Sequence, residues 1–222
     1  MFQLDPKSIA VRARYSATPH VPGLLESLAR GAIGFTLVSV AGFAPWALGE
    51  RWIFEHVGEA GLYACCALVF IALSGLLLHR LIIGGETLLR FYQIFGLAFI
   101  FYAIAWIAGW MLLRGHVGGL VGLFAGTMIF GAILAHAFVA HRATLLAGPV
   151  LFVTNAAGYF GGGYVEQWVG HIAALGGARM TVAMLMWGVC YGLGFGLGLG
   201  FGFYACQAEA RRLLSQPAGQ SI

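Results

Sequence analysis

Charged side chains are scarce in this chain. Its 222 residues hold 12 Lys and Arg and 8 Asp and Glu, 9% in all, where a soluble domain carries about 25%. That leaves too little polar surface to coat a water-facing fold. A hydrophobic content of 60% and a mean hydropathy of +0.88 exclude intrinsic disorder, which needs the opposite composition. Cysteine is sparse as well. Cys65 and Cys66 are adjacent, Cys190 and Cys206 lie far apart, and no C-x-x-C spacing of a metal or redox pair occurs. Buried apolar thiols are the expected state. Glycine is plentiful at 34 residues, but without a G-X-Y period, so collagen is excluded. What remains is a polytopic membrane protein.

Crossing about 30 Å of hydrocarbon takes about 20 apolar residues in a helix. Six such stretches run near Gly31–Leu48, Ala60–Leu78, Phe91–Leu113, Val117–Val139, Thr144–Tyr164 and Met180–Ala205. The expected fold is an all-α bundle of about six transmembrane helices, residues 22–206, between terminal tails 1–21 and 207–222. Both tails read as solvated, with Pro217 and Gly219 discouraging helix in the second. Pro22 suits the first turn of the opening helix, and Glu26 with Arg30 makes a favourable i, i+4 pair. Gly148–Pro149 and Gly161–Gly163 suggest a fifth helix interrupted at its start and loosened at its end. Ile172–Ala178 leaves the start of the sixth open.

Six crossings put both termini on one side. Lys7, Arg12, Arg14, Arg30, Arg80, Arg90, Arg142, Arg211 and Arg212 fall there, against Arg51, Arg114 and Arg179 opposite. The positive-inside rule makes the side with the termini cytoplasmic. Trp46, Trp52, Trp106, Trp110, Trp168 and Trp187 all fall toward the other face, where indole favours the headgroup layer. No secretory signal is expected, because bulky Phe43 and Trp46 occupy the first apolar stretch where small cleavage-site residues would be needed. The expected location is a bacterial cytoplasmic (inner) membrane. The net charge of +4 is then a topology signal, with the lipid bilayer as partner and no nucleic acid.

Glycine is patterned in two spans. Gly118, Gly122 and Gly126 recur every four residues in the fourth. Gly188, Gly192, Gly196 and Gly200 do so in the sixth, interleaved with Gly194, Gly198 and Gly202. At about 100° per residue the two sets of the sixth span face opposite ways, giving a helix that two neighbours can approach closely, as in a glycine zipper.

The spans hold no Asp, Glu, Lys or Arg, which weighs against ion-coupled transport, anion channels and voltage sensing. An intramembrane serine protease is excluded as well: the only intramembrane serines are Ser39 and Ser74, and the sixth span carries no histidine. The chemistry that remains is sparse. Thr154 and Asn155 fall near mid-depth of the fifth span with Tyr159 one turn on, and Asn155, Gly158, Tyr159 and Gly162 share one stripe. These polar groups suit helix–helix hydrogen bonds or lining a path for a small uncharged substrate. His136, placed inward by the 100° rule, could pair with His79 or His141 around a b-type haem. Outside the membrane, Glu55, His56, Glu59, His116, Glu166 and His171 offer zinc or copper ligand types without a recognised spacing.

Three functions follow. The leading one is non-enzymatic: a subunit of a larger membrane complex, through other membrane subunits or self-association, or a facilitator of small neutral solute transport. The others are a haem-based electron carrier and a lipid-directed enzyme using the outer Glu/His set or Tyr159 and Glu166.

Overall fold

The computed structural model describes residues 2–16 and 19–216. Its regular elements are all helical: α1 (Pro6–Tyr15), α2 (Leu24–Leu78), α3 (Leu88–Leu113), α4 (Gly115–Ala137), α5 (Thr144–Gly170), α6 (Arg179–Cys206) and α7 (Ala208–Ser215). Five of these stretches are long and apolar enough to cross a membrane. In hydrocarbon a backbone must satisfy its own hydrogen bonds, which a helix does within one segment.

α2 is too long for one crossing. Fifty-five residues drawn straight would reach about 80 Å. Instead Phe35 meets Phe70 with ring centroids 6.0 Å apart, Phe43 meets Phe70 at 5.3 Å and Trp46 meets Tyr63 at 5.4 Å. The chain therefore reverses between them. The turn is at Gly58, whose φ of 71° and ψ of −177° fall in a region essentially reserved for glycine. Two antiparallel arms result, 24–57 and 59–78, matching the first two apolar stretches of the sequence.

The remaining connections are short. Arg114 and Gly115, both at positive φ, turn α3 into α4. His141–Ala143 forms a 3-10 turn into α5, and Ala173–Ala178 forms another, broken at Gly176, ahead of α6. Gly58, Arg114 and this last turn lie at one end of the bundle, here the distal end. α1, α7 and the 79–87 loop gather at the other.

The terminal segments differ from the solvated tails expected of them. Asp5 caps α1 by accepting the Ser8 backbone N–H at 3.0 Å, and Pro6 sits in the first turn, where its missing N–H costs nothing. Leu4, Ile9 and Ala13 are buried against the bundle, a short apolar face that average composition conceals. α7 takes the place of a C-terminal tail, and Arg14 Nη2 donates to the Leu213 carbonyl at 3.0 Å, joining the two ends of the chain. Pro217 and Gly219 lie outside the described residues. α5 also departs from expectation: it runs unbroken from Thr144 to Gly170 through Pro149 and Gly161–Gly163. Pro149 is only the sixth residue of the helix, and Gly158 and Gly162 are held by direct contact with α6.

α6 is the central helix. A Cβ on Gly192 would lie 2.6 Å from Thr36 Cα on the first arm of α2, and one on Gly200 would lie 3.1 Å from Leu28 Cα there. The opposite face meets α5, where a Cβ on Gly198 would lie 2.7 Å from Leu151 Cα. Backbones this close leave no room for a methyl group. α4 meets α3 in the same manner: Cβ atoms on Gly118, Gly122 and Gly126 would fall within 3 Å of Gly109, Trp106 and Tyr102. Between these contacts runs a continuous aromatic core. Phe91, Phe95 and Phe99 stack along α3 at 5.3 Å intervals, and Phe35, Phe130, Phe195 and Phe203 close around them. Pairs of this kind add about 0.5–1.5 kcal/mol each beyond area burial.

Candidate functional site

A polar node sits at the middle of this aromatic core. Asn155 of α5 is 0% exposed. Its Nδ2 donates to the Tyr102 hydroxyl of α3 at 2.9 Å, and that hydroxyl lies 3.2 Å from the Tyr191 hydroxyl of α6. Each residue is about 16–18 Å along its helix from one end or the other, near the middle of the bundle. Helix packing brings them together: Gly158 and Gly194 draw α5 against α6, and Gly126 draws α4 against Tyr102.

The node is incompletely paired. Asn155 Oδ1 is buried without a hydrogen-bond partner. Flipping the amide would pair Oδ1 with Tyr102 and leave the nitrogen unpaired, so one end is orphaned either way. Nearby, Trp106 Nε1 is also buried and unpaired. A polar group buried without a partner costs about 1–3 kcal/mol.

Of the polar groups expected in α5, Asn155 joins this node and Tyr159 lies one turn beyond it, edge-on to Trp187 at 5.5 Å. Thr154 turns away, donating to the Val150 carbonyl of its own helix at 3.0 Å. Spacing within α5 predicted the stripe, but nothing in the sequence linked Asn155 to Tyr102 or Tyr191, 53 and 36 residues away.

His136 is exposed, correcting its inward placement. It does share the helical register of Gly118, but at that depth it faces an open pocket. His136 and His141 have ring centroids 6.1 Å apart and line an open pocket of about 600 Å³ with Phe2, Leu4, Asp5 and Leu97. His79 is not among the lining residues; its Nδ1 pairs with Thr87 Oγ1 at 3.0 Å. The haem arrangement, with two imidazoles on different helices, is therefore not formed with His79.

The outer Glu/His set is scattered. Glu55 pairs with Arg51 at 3.1 Å, and His56 stacks on Trp52 and hydrogen-bonds its carbonyl. His171 bonds the Gln167 carbonyl, His116 lies beside Phe160, Glu59 is exposed and Glu166 half-buried. Among the described residues no three His, Cys, Asp or Glu side chains converge on a metal-binding geometry.

One buried polar residue had no signal in the sequence. Gln207, 1% exposed, follows the last turn of α6. Its Nε2 donates to the Leu81 and Phe203 carbonyls and its Oε1 accepts from the Ile83 N–H, at 2.8, 2.9 and 2.7 Å. It clamps the 79–87 loop to the end of α6, where it followed the sixth span as an ordinary tail residue.

The class these features define is that of all-helical proteins whose long apolar helices suit a bilayer. The chain matches no family model, curated protein or solved structure.

Proposed function

We propose that this chain is a non-enzymatic integral protein of a bacterial cytoplasmic membrane and a facilitator for a small neutral solute. In this reading it crosses the bilayer six times with both termini in the cytoplasm. The observation that carries it is the node at Asn155: a fully buried, uncharged, partly unpaired polar group at mid-depth of an apolar bundle. A polar group at that depth is expensive unless fully paired, and this one keeps an unpaired end available to a ligand. The absence of any formal charge near this one favours a neutral cargo over an ion.

The test is osmotic swelling of liposomes containing the purified protein, with urea and glycerol as separate probes. Flux above protein-free liposomes that falls in Asn155→Leu supports the reading. Flux equal to protein-free liposomes for both solutes overturns it and leaves the complex-subunit function, in which the chain would co-purify with other membrane subunits.

A further inference from the structure

The hydrogen-bond inventory of the node says more than that it is polar. Two tyrosine hydroxyls carry two protons. The bond between Tyr102 and Tyr191 uses one, and neither hydroxyl has a partner other than Asn155 Nδ2. With Nδ2 facing Tyr102, one O–H donor is left over whichever tyrosine donates; with the amide flipped, the two Nδ2 hydrogens and a Tyr191 lone pair are left over instead. Asn155 Oδ1, the unpaired acceptor, belongs to the same cluster. A donor and an acceptor are left unsatisfied together within one buried cluster.

The residues one turn toward the distal end are as informative. α3 and α5 run toward that end and α6 runs away from it. The residue four after Tyr102 is Trp106, the one four after Asn155 is Tyr159, and the one four before Tyr191 is Trp187. Each node residue is thus overlaid by an aromatic ring from its own helix. The three rings form a layer: Trp106 and Tyr159 have centroids 6.2 Å apart, Tyr159 and Trp187 5.5 Å. Trp187 stacks on Tyr191 at 5.3 Å with 3° between the planes. Toward the proximal end Phe195 meets Tyr102 edge-on at 5.2 Å. The node is enclosed by rings along the bundle axis in both directions.

We propose that Asn155, Tyr102 and Tyr191 form a binding site for one small neutral molecule with both a hydrogen-bond donor and an acceptor, sealed on the distal side by the Trp106–Tyr159–Trp187 layer. The molecule accepts from the spare tyrosine O–H and donates to Asn155 Oδ1. Water is the smallest member of the class, and compact amides and alcohols are the others. An apolar gas would leave both protein groups unpaired. An ion would find no opposite charge, and burying one uncompensated costs far more than a hydrogen bond returns.

This rests on the facilitator reading, but the two can fail separately. The decisive measurement is a crystal structure of the full chain in a lipidic mesophase, at a resolution that shows ordered water, alone and soaked in urea. The expected result is density within hydrogen-bond distance of both Asn155 Oδ1 and a tyrosine hydroxyl, and its loss in Asn155→Leu. Planar density after soaking distinguishes the amide from water. Should Asn155→Leu not fold, the ring-conserving Tyr102→Phe/Tyr191→Phe pair removes the O–H donors and should lose the density instead. A node without bridging density, or with every polar atom paired to protein, overturns the site whatever the flux. Density without liposome flux keeps the site and overturns transport. Where both are present, Asn155→Leu should lower the urea flux roughly 2- to 10-fold, as one lost hydrogen bond implies.

Discussion

Gln207 and Asn155 are both buried side-chain amides, and the fold treats them differently. Gln207 has its oxygen and both its amide hydrogens engaged by the protein, whereas Asn155 keeps one end free. Gln207→Leu would leave the Ile83 N–H and the Leu81 carbonyl unpaired in a buried loop. It should cost about 3 kcal/mol, read by reversible unfolding in bicelles. Asp5 is a second residue with a defined task. Hydrogen bonds from Ser8 hold its carboxyl below the usual Asp value of 3.8. Its contribution is therefore present above that value and is lost as pH falls through the lowered folded-state pKa. Amide protection factors in α1, which correct for the intrinsic pH dependence of exchange, should fall below about pH 4. Asp5→Ala should weaken the cap by about 1 kcal/mol at neutral pH, and Asp5→Asn should keep the cap but abolish its acid sensitivity. The Asp5 cap is of a kind legible in sequence, since a short acceptor before proline is a helix-start pattern. The Gln207 clamp is not, because the loop residues it holds, Leu81 and Ile83, lie more than 120 residues away.

At the scale of elements, helix approach decides which glycines matter. A Cβ on Gly158 would lie 2.6 Å from the Cys190 carbonyl oxygen, and one on Gly192 would lie 2.6 Å from Thr36 Cα. Neither backbone can yield cheaply, so Gly158→Ala and Gly192→Ala should each cost about 1–3 kcal/mol. Gly163 sits on the same helix as Gly158 but has nothing within 4 Å. Gly163→Ala should be neutral or stabilising by about 0.5–1 kcal/mol, the gain from helix propensity alone. Unfolding all three variants in one lipid condition checks the contrast. Equal effects would mean that contact is not what distinguishes these glycines. The four-residue recurrence is visible in the sequence, and so is the opposition of two faces on α6. Which neighbour each face meets is a matter of how the helices are arranged. Gly161–Gly163, which reads as a weak point, is carried through as helix because the same element is packed along Gly158 and Gly162.

For the whole molecule, the prediction concerns sidedness. Nine cations gather at the end that also holds α1, the 79–87 loop and α7, joined by the Arg14–Leu213 and Gln207–Leu81 bonds. In a background with the four native cysteines replaced by alanine, Glu59→Cys should react with an impermeant maleimide on intact cells. Lys7→Cys should react only after permeabilisation. Both positions are exposed, so accessibility reports the side of the membrane. The reverse pattern would overturn the cytoplasmic placement of the termini. The count of apolar stretches is legible from the sequence because hydrocarbon thickness sets a length that composition must meet. Gly58 breaks α2 into two arms, each containing one of the apolar stretches read from the sequence.

Composition and periodicity by themselves determined an all-helical chain with long apolar helices, because backbone satisfaction in lipid leaves little alternative. They also marked Asn155 as an uncommon residue, since an amide in an apolar span stands out against its neighbours. The tertiary structure decided what that amide meets. Tyr102 and Tyr191 read as ordinary packing aromatics in their own spans, and only the close approach of α3, α5 and α6 sets their hydroxyls against Asn155. His136 lies outside that core, because a helical register gives direction relative to its own axis and not what stands opposite at each depth. The short apolar faces of α1 and α7 acquire meaning only through the surface they cover. Local pattern specifies a helix; a site needs distances between helices, and those are fixed by packing.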